Sequence, residues 1–233
     1  MKSIIPVDRS IIPACDVSLE RFEDLIRETC ALDKIGAYKI GAALALTTGL
    51  PSLVETARKY TSKPLIYDHQ KACTDIPDTG TEFVRAVKAS GIDALIFFPL
   101  TGPATQTAWI QSARAEELSV IVGGHMTHER FLSRDGGYVD DQAVDKIFAN
   151  AAYEGVVDYV VPGNKPDAIR HLKELLLSHR IDPVFYAPGF IAQGGNISDA
   201  ALAAGARWHA IVGRAIYEAQ DMQKAALSLA SHL

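Results

Sequence analysis

Two carboxylates and an amine stand close together in Tyr67-Asp68-His69-Gln70-Lys71-Ala72-Cys73-Thr74-Asp75, directly after the short apolar run Pro64-Leu65-Ile66. A lysine between acids at the end of a buried strand is equipped to hold and deliver a proton, because flanking negative charge keeps the amine protonated. The same pattern also describes a salt-bridged strand end with no chemistry, so the rest of the chain has to decide. A second group of residues concerns anion binding. Gly189-Phe190-Ile191-Ala192-Gln193-Gly194-Gly195-Asn196 runs into a capped helix, and Ile211-Val212-Gly213-Arg214 follows close behind. Glycines let backbone N–H groups approach a phosphate, helix N-termini favour negative charge, and arginine adds a bidentate donor. The 187–196 loop is long enough to close over a ligand and exclude water.

Such groups act together only if a scaffold gathers strand ends. Apolar runs predict strands at Ile11–Cys15, Ala37–Gly41, Pro64–Asp68, Ala94–Phe98, Leu118–Val122, Val157–Val161, Pro183–Tyr186 and His209–Val212. Amphipathic segments between them predict helices. The first starts at Leu19 with Ser18 as cap, and the second runs through Leu53, Val54, Ala57 and Tyr60 from Pro51. Further helices are expected over Thr81–Ser90, Gln106–Glu117, Gln142–Tyr153 and Lys165–Ser178, the last capped by Asn164. A short helix capped by Ser198 and closed by Gly205, and a long one over Ala215–His232, complete the pattern. Eight βα units in strict alternation over 233 residues predict a parallel sheet closed into a (β/α)8 TIM barrel, one domain spanning 1–233. An open doubly wound sheet fits less well, because no GxGxxG opens the first unit. In a barrel, chemistry sits at the C-terminal ends of the strands. That rule collects Asp16, Lys39, Asp68, Lys71, Asp75, Met126, Thr127, Pro162, the 187–196 loop, Gly213 and Arg214 on one rim.

Composition narrows the classes. A formal charge of −5 with scattered basic residues excludes a nucleic-acid face. Three cysteines, far apart and without a CxxC, argue against a disulfide framework or a thiolate zinc site and fit a reducing cytoplasm. No apolar run approaches the about 20 residues needed to span a bilayer, so no membrane role is expected.

Asp68…Lys71…Asp75-Ile76-Pro77, Ala187-Pro188-Gly189…Gln193-Gly194-Gly195 and Ile211-Val212-Gly213-Arg214 together resemble the orotidine 5′-phosphate decarboxylase family. The resemblance covers essentially the whole chain and includes Asp16 and Tyr38-Lys39-Ile40-Gly41 at the first two strand ends. One feature departs from it. The family pattern is Asp-x-Lys-x-x-Asp, whereas Asp68-x-x-Lys71-x-x-x-Asp75 is one residue longer in each interval. On a flat strand Asp68 and Lys71 would face opposite ways, so a bulge or turn is required. His69 is an alternative occupant of the first acidic position; Asp68 is preferred because it keeps a fixed negative charge. Thr127 stands where the family has a serine.

The resemblance implies decarboxylation of orotidine 5′-phosphate to uridine 5′-phosphate in pyrimidine biosynthesis, without metal or organic cofactor. It implies that Lys71 protonates the ring carbon that loses carbon dioxide, with Asp68 near the leaving carboxylate and Lys39 in the charge network. Asp75 would be donated by the second subunit of a homodimer, together with Ile76 and Thr79. Asp16 would bind the ribose hydroxyls, Thr127 the pyrimidine, and Gln193, Gly194, Gly195, Gly213 and Arg214 the phosphate, with Pro162 at the rim. Two rivals stand beside it. A magnesium-dependent sugar-phosphate decarboxylase or aldolase of the same superfamily would need another carboxylate where this chain has Lys39. A non-catalytic phosphate-ligand-binding barrel would need no intact Asp68, Lys71 and Asp75. The remaining polar and aromatic candidates read mostly as structural. His125 and His128 lack an evident third metal ligand, Arg130 and Arg134 fit either a substrate contact or a solvated loop, Trp109 and Trp208 fit packing, and Lys2 to Arg9 fits a plug at the barrel base.

Overall fold

A computed structural model describes residues 3–69, 72–190 and 194–233. Its first half runs β1 (Arg9–Cys15), α1 (Leu19–Thr29), β2 (Tyr38–Gly41), α2 (Ala42–Thr48), α3 (Leu50–Arg58), β3 (Leu65–Asp68), α4 (Gly80–Ala89), β4 (Ala94–Phe97) and α5 (Pro103–Ala115). The second half runs β5 (Ser119–Gly123), α6 (Ala143–Tyr153), β6 (Asp158–Val160), α7 (Pro166–Ser178), β7 (Val184–Ala187), α8 (Ile197–Ala204), β8 (Trp208–Val212), α9 (Arg214–Tyr217) and α10 (Met222–Ala230). Each strand pairs in parallel with the next, and β8 returns to β1 through the register Arg9↔Trp208 to Pro13↔Val212, so the barrel is closed.

Strand alternation sorts the side chains into two cores. Ile12, Ala14, Ile66, Ile96, Phe98, Ile121, Val160, Tyr186 and Ile211 fill the barrel interior. Tyr38, Ile40, Tyr67, Leu95, Phe97, Val120, Val122, Tyr159 and Phe185 point outward into the helical layer. The helices cover that layer with largely apolar stripes; on α1 the buried positions are Phe22, Leu25, Ile26 and Thr29. Trp109 and Trp208 both pack. Trp109 sits against Phe83 and Phe97, and Trp208 is fully buried.

The segment before β1 closes the barrel base. Ile5 is buried among the interior residues, and Asp8 O accepts from Trp208 N at 2.8 Å. Ser3 Oγ donates to Asp158 Oδ1 at 2.8 Å, which also accepts from Tyr186 Oη at 3.0 Å. Ser10 Oγ meets His209 Nδ1 at 2.8 Å beside them.

Several sequence expectations need correction at the helices. Ser18 does cap α1, accepting from Arg21 N. The cap of α8 is Asn196, whose side chain accepts from Ser198 N, rather than Ser198. The residue at the N-cap of α7 is Lys165, with no side-chain cap bond, and Asn164 is engaged elsewhere. The expected last helix is two helices, because Asp221 Oδ1 accepts from Lys224 N and starts α10 afresh. The short helix α2 was not expected, and Gly49 at φ +85° separates it from α3. Among the described residues no helix is long and apolar enough to cross a membrane.

Candidate active site

Three strands end in charge at the same rim. Asp16, just past β1, Lys39 on β2 and Asp68 on β3 continue the inward-facing rows of Ala14, Ala37 and Ile66. Lys39 Nζ lies 2.8 Å from Asp68 Oδ2 and 3.7 Å from Asp16 Oδ2. Gly41 makes room for this, because a Cβ there would fall 2.0 Å from Asp16 Oδ1. Burial would pull the Lys39 amine towards neutrality, but Asp68 and Asp16 outweigh it and hold its pKa above the usual lysine value. Asp68 and Lys39 are almost wholly buried, while the Asp16 side chain is half exposed. Asp68 Oδ1 is buried with no hydrogen-bond partner among the described residues. The trio therefore offers a held ammonium and an unsatisfied carboxylate oxygen to whatever enters.

These residues line a cavity of about 280 Å³. Ile96, Phe98, Val160 and Ile211 form its apolar wall, and Thr127 with His125 and Met126 closes it after β5. Gly213, Arg214 and Tyr217 close it after β8, and Pro188, Gly189 and Phe190 after β7. Gly189 at φ +105° and Gly194 at φ +79° adopt the left-handed backbone that the 187–196 loop needs to turn back, with Gly195 N donating to Gly189 O at 3.1 Å. One end of the cavity thus suits an anion and the middle is charged over an apolar floor. That combination suits a ligand with an anionic group at one end and both polar and apolar parts beyond it.

Of the residues singled out from sequence, the structure brings Asp16, Lys39, Asp68, Thr127, Gly213 and Arg214 to this cavity. Lys71 and Gln193 lie outside the described residues. His69 faces away, with its Nδ1 2.7 Å from Tyr67 Oη and its ring edge-on to Phe83, so Asp68 is the acid that reaches the cavity. Pro162 is buried behind the wall, where its carbonyl accepts from Lys165 N at 3.0 Å. Gly194 and Gly195 are not among the lining residues. Asp75, Ile76 and Thr79 stand outside their own chain's cavity, on a 3-10 turn over Pro77–Thr79 and the residues before it. Thr105 Oγ1 donates to Asp75 O at 2.8 Å and Trp109 Nε1 to Ile76 O at 3.1 Å, yet the Ile76 side chain is 57% exposed. Cys73, between them and Asp68, takes φ +67°.

Sequence reasoning missed Phe98 and Tyr217 as lining residues and undervalued His125. The signal for His125 was parity, since it extends the inward row of Ile121 and Gly123. Its imidazole is held neutral, with its pKa lowered to about 4 by burial first and by Lys165 and Arg134 second. It stacks on Phe131 at 5.9 Å and meets Lys165 Nζ at 3.2 Å.

Comparison with known proteins shows the family and the fold. The sequence model of the orotidine 5′-phosphate decarboxylase / HUMPS family matches residues 9–229. The orotidine 5′-phosphate decarboxylase of Methanosarcina mazei is 33% identical over 96% of this chain and 94% of its own length. That of Methanosarcina barkeri is 34% identical over the same shares. Among solved structures, the Methanocaldococcus jannaschii orotidine 5′-monophosphate decarboxylase in complex with the inhibitor BMP superposes with a TM-score of 0.83. It is 26% identical and covers 97% of this chain and 98% of that one.

Proposed function

Because the chain belongs to the orotidine 5′-phosphate decarboxylase / HUMPS family, we propose that it decarboxylates orotidine 5′-phosphate to uridine 5′-phosphate. The observation that carries this reading within the family is Lys39. Its ammonium stands between Asp68 and Asp16. A divalent-ion enzyme needs carboxylates free to ligate at that rim, and here an amine already neutralises them.

The chemistry follows from the arrangement. The substrate phosphate binds at Arg214, Gly213 and the 187–196 loop, with Gln193, Gly194 and Gly195 closing over it. Asp16 takes the ribose hydroxyls and Thr127 the pyrimidine. The substrate carboxylate comes to rest near Asp68, whose buried Oδ1 has no partner among the described residues and opposes it, and this opposition is relieved as carbon dioxide leaves. The electron pair left on the ring carbon is stabilised by the Lys71 ammonium and then takes its proton. The exposed turn of Asp75, Ile76 and Thr79 serves the site of a second copy of this chain, which fits its position outside its own cavity.

The test is loss of orotate absorbance with orotidine 5′-phosphate, in the presence of a chelator. Wild type is expected to turn over, and Lys71→Ala to lose about 10³-fold or more of kcat. No turnover by folded protein with the chelator, and turnover of a sugar phosphate once magnesium is added, would sink the reading in favour of the metal-dependent branch. Phosphate binding without any turnover would leave a binding barrel. The shared site has its own test. Mixing inactive Lys71→Ala with inactive Asp75→Asn should restore activity to about a quarter of wild type, since a mixed dimer carries one intact site of two. Two variants that stay inactive in mixed dimers would assign Asp75 to its own chain.

A further inference from the structure

The cavity wall after β5 is an irregular segment from His125 to His128, and such a segment keeps its shape only where something satisfies its backbone. Here the satisfying groups come from two neighbouring residues just before α7. Lys165 Nζ lies 3.2 Å from His125 Nε2 and donates to the carbonyls of Met126 at 3.0 Å and His128 at 3.4 Å. Asn164 Nδ2 donates to the Thr127 carbonyl at 3.0 Å. A lysine ammonium has three donors and no acceptor. All three donors find acceptors in this one segment, and His125 Nε2 must accept rather than donate.

Neither side chain lines the cavity itself. Lys165 instead lines a second cavity of about 500 Å³, and His125 borders both. The clamp therefore grips the segment from behind, out of reach of a ligand. It also acts on one end only, since β5 lies across the closed barrel from β1 and the Gly213–Arg214 arm follows β8.

We propose that Lys165, with Asn164 beside it, is a positioning residue that sets the backbone of residues 125–128 and so places Thr127 against the ring end of the bound nucleotide. The proposal rests on the nucleotide reading above. Loss of the clamp weakens what the ring contributes to binding and spares what the phosphate contributes.

Calorimetric titration of wild type, Lys165→Met and Asn164→Ala with uridine 5′-phosphate and with ribose 5-phosphate tests this. Lys165→Met is expected to lose about tenfold in affinity for uridine 5′-phosphate while ribose 5-phosphate changes by less than about twofold. Asn164→Ala should shift the same way by about threefold. In turnover, the loss should appear in KM more than in kcat. An equal loss for both ligands, or unchanged uridine 5′-phosphate affinity in either variant, would overturn the proposal. If Lys165→Met fails to fold, as thermal unfolding would show, Asn164→Ala alone decides. A wild type that neither binds uridine 5′-phosphate nor turns over orotidine 5′-phosphate would instead bring down the nucleotide reading.

Discussion

Lys39 owes its charge to its neighbours. Burial alone would favour the neutral amine, and Asp68 at 2.8 Å with Asp16 at 3.7 Å reverses that balance. Removing one partner of a buried pair strands the other. Asp68→Ala should therefore cost about 3 kcal/mol in urea denaturation as well as activity, whereas Asp16→Ala, at a half-exposed side chain, should cost well under that. Equal losses would show that Lys39 does not depend on Asp68. At this scale the sequence was informative wherever an inward-facing row ended in a polar residue. Asp16, Lys39 and Asp68 could be read because each follows a short apolar run. His125 and Lys165 could not, since they are separated by 40 residues and their pairing depends on two loops meeting. The Asp75–Thr79 motif was visible, but nothing local in a sequence says which copy's cavity it faces.

Elements decide how firmly the ligand arms are held. α9 carries Arg214 at its start and Tyr217 at its end, and so short a helix has little stability of its own. Arg21 on α1 grips it from outside, donating from Nε and Nη2 to Tyr217 O at 2.9 and 2.6 Å and to Ala219 O at 3.3 Å. Arg21→Met should raise KM for orotidine 5′-phosphate by about tenfold with little change in kcat, as steady-state kinetics would show. An equal fall in kcat would mean that α9 shapes the reacting end too. The strands were legible because apolar runs bounded by polar residues leave few other readings. Helix breaks were not. Asp221 reads as a surface charge in a continuous pattern until its carboxylate is seen capping α10, and the small apolar run Ala42 to Leu46 gives no sign that it turns before Gly49.

At the scale of the whole molecule, two buried groups at the barrel base titrate against each other. Burial raises Asp158 from its ordinary 3.8 to about 6, against the opposing hydrogen bonds from Ser3 and Tyr186. Burial first, and Arg207 second, lower His209 from 6.5 to about 3. The folded state thus binds the Asp158 proton more tightly than the unfolded chain. That contribution is present below pH 3.8 and is lost as pH rises through about 6, some ~3 kcal/mol in all. His209 has the opposite sign, because its contribution is present above pH 6.5 and is lost as pH falls towards about 3. The two slopes offset one another between pH 4 and 6, roughly the window the two shifts share. Asp158→Asn should therefore make the melting temperature rise more steeply with pH across this window than in wild type. An unchanged slope would show that Asp158 stays charged in the fold.

The seam that closes the barrel joins the two ends of the chain. Ser10 and His209 touch across a separation of 199 residues, and the N-terminal plug docks against the same late strand. During synthesis β1 emerges first and waits for the last strand to be made, with one row of its N–H and C=O groups unpaired throughout. Contacts so distant in sequence form late and slowly. Until they do, the growing chain is an open sheet with two exposed edges, able to pair with another nascent chain as readily as with itself. A fold with no edges in its finished form therefore spends its whole assembly with two of them.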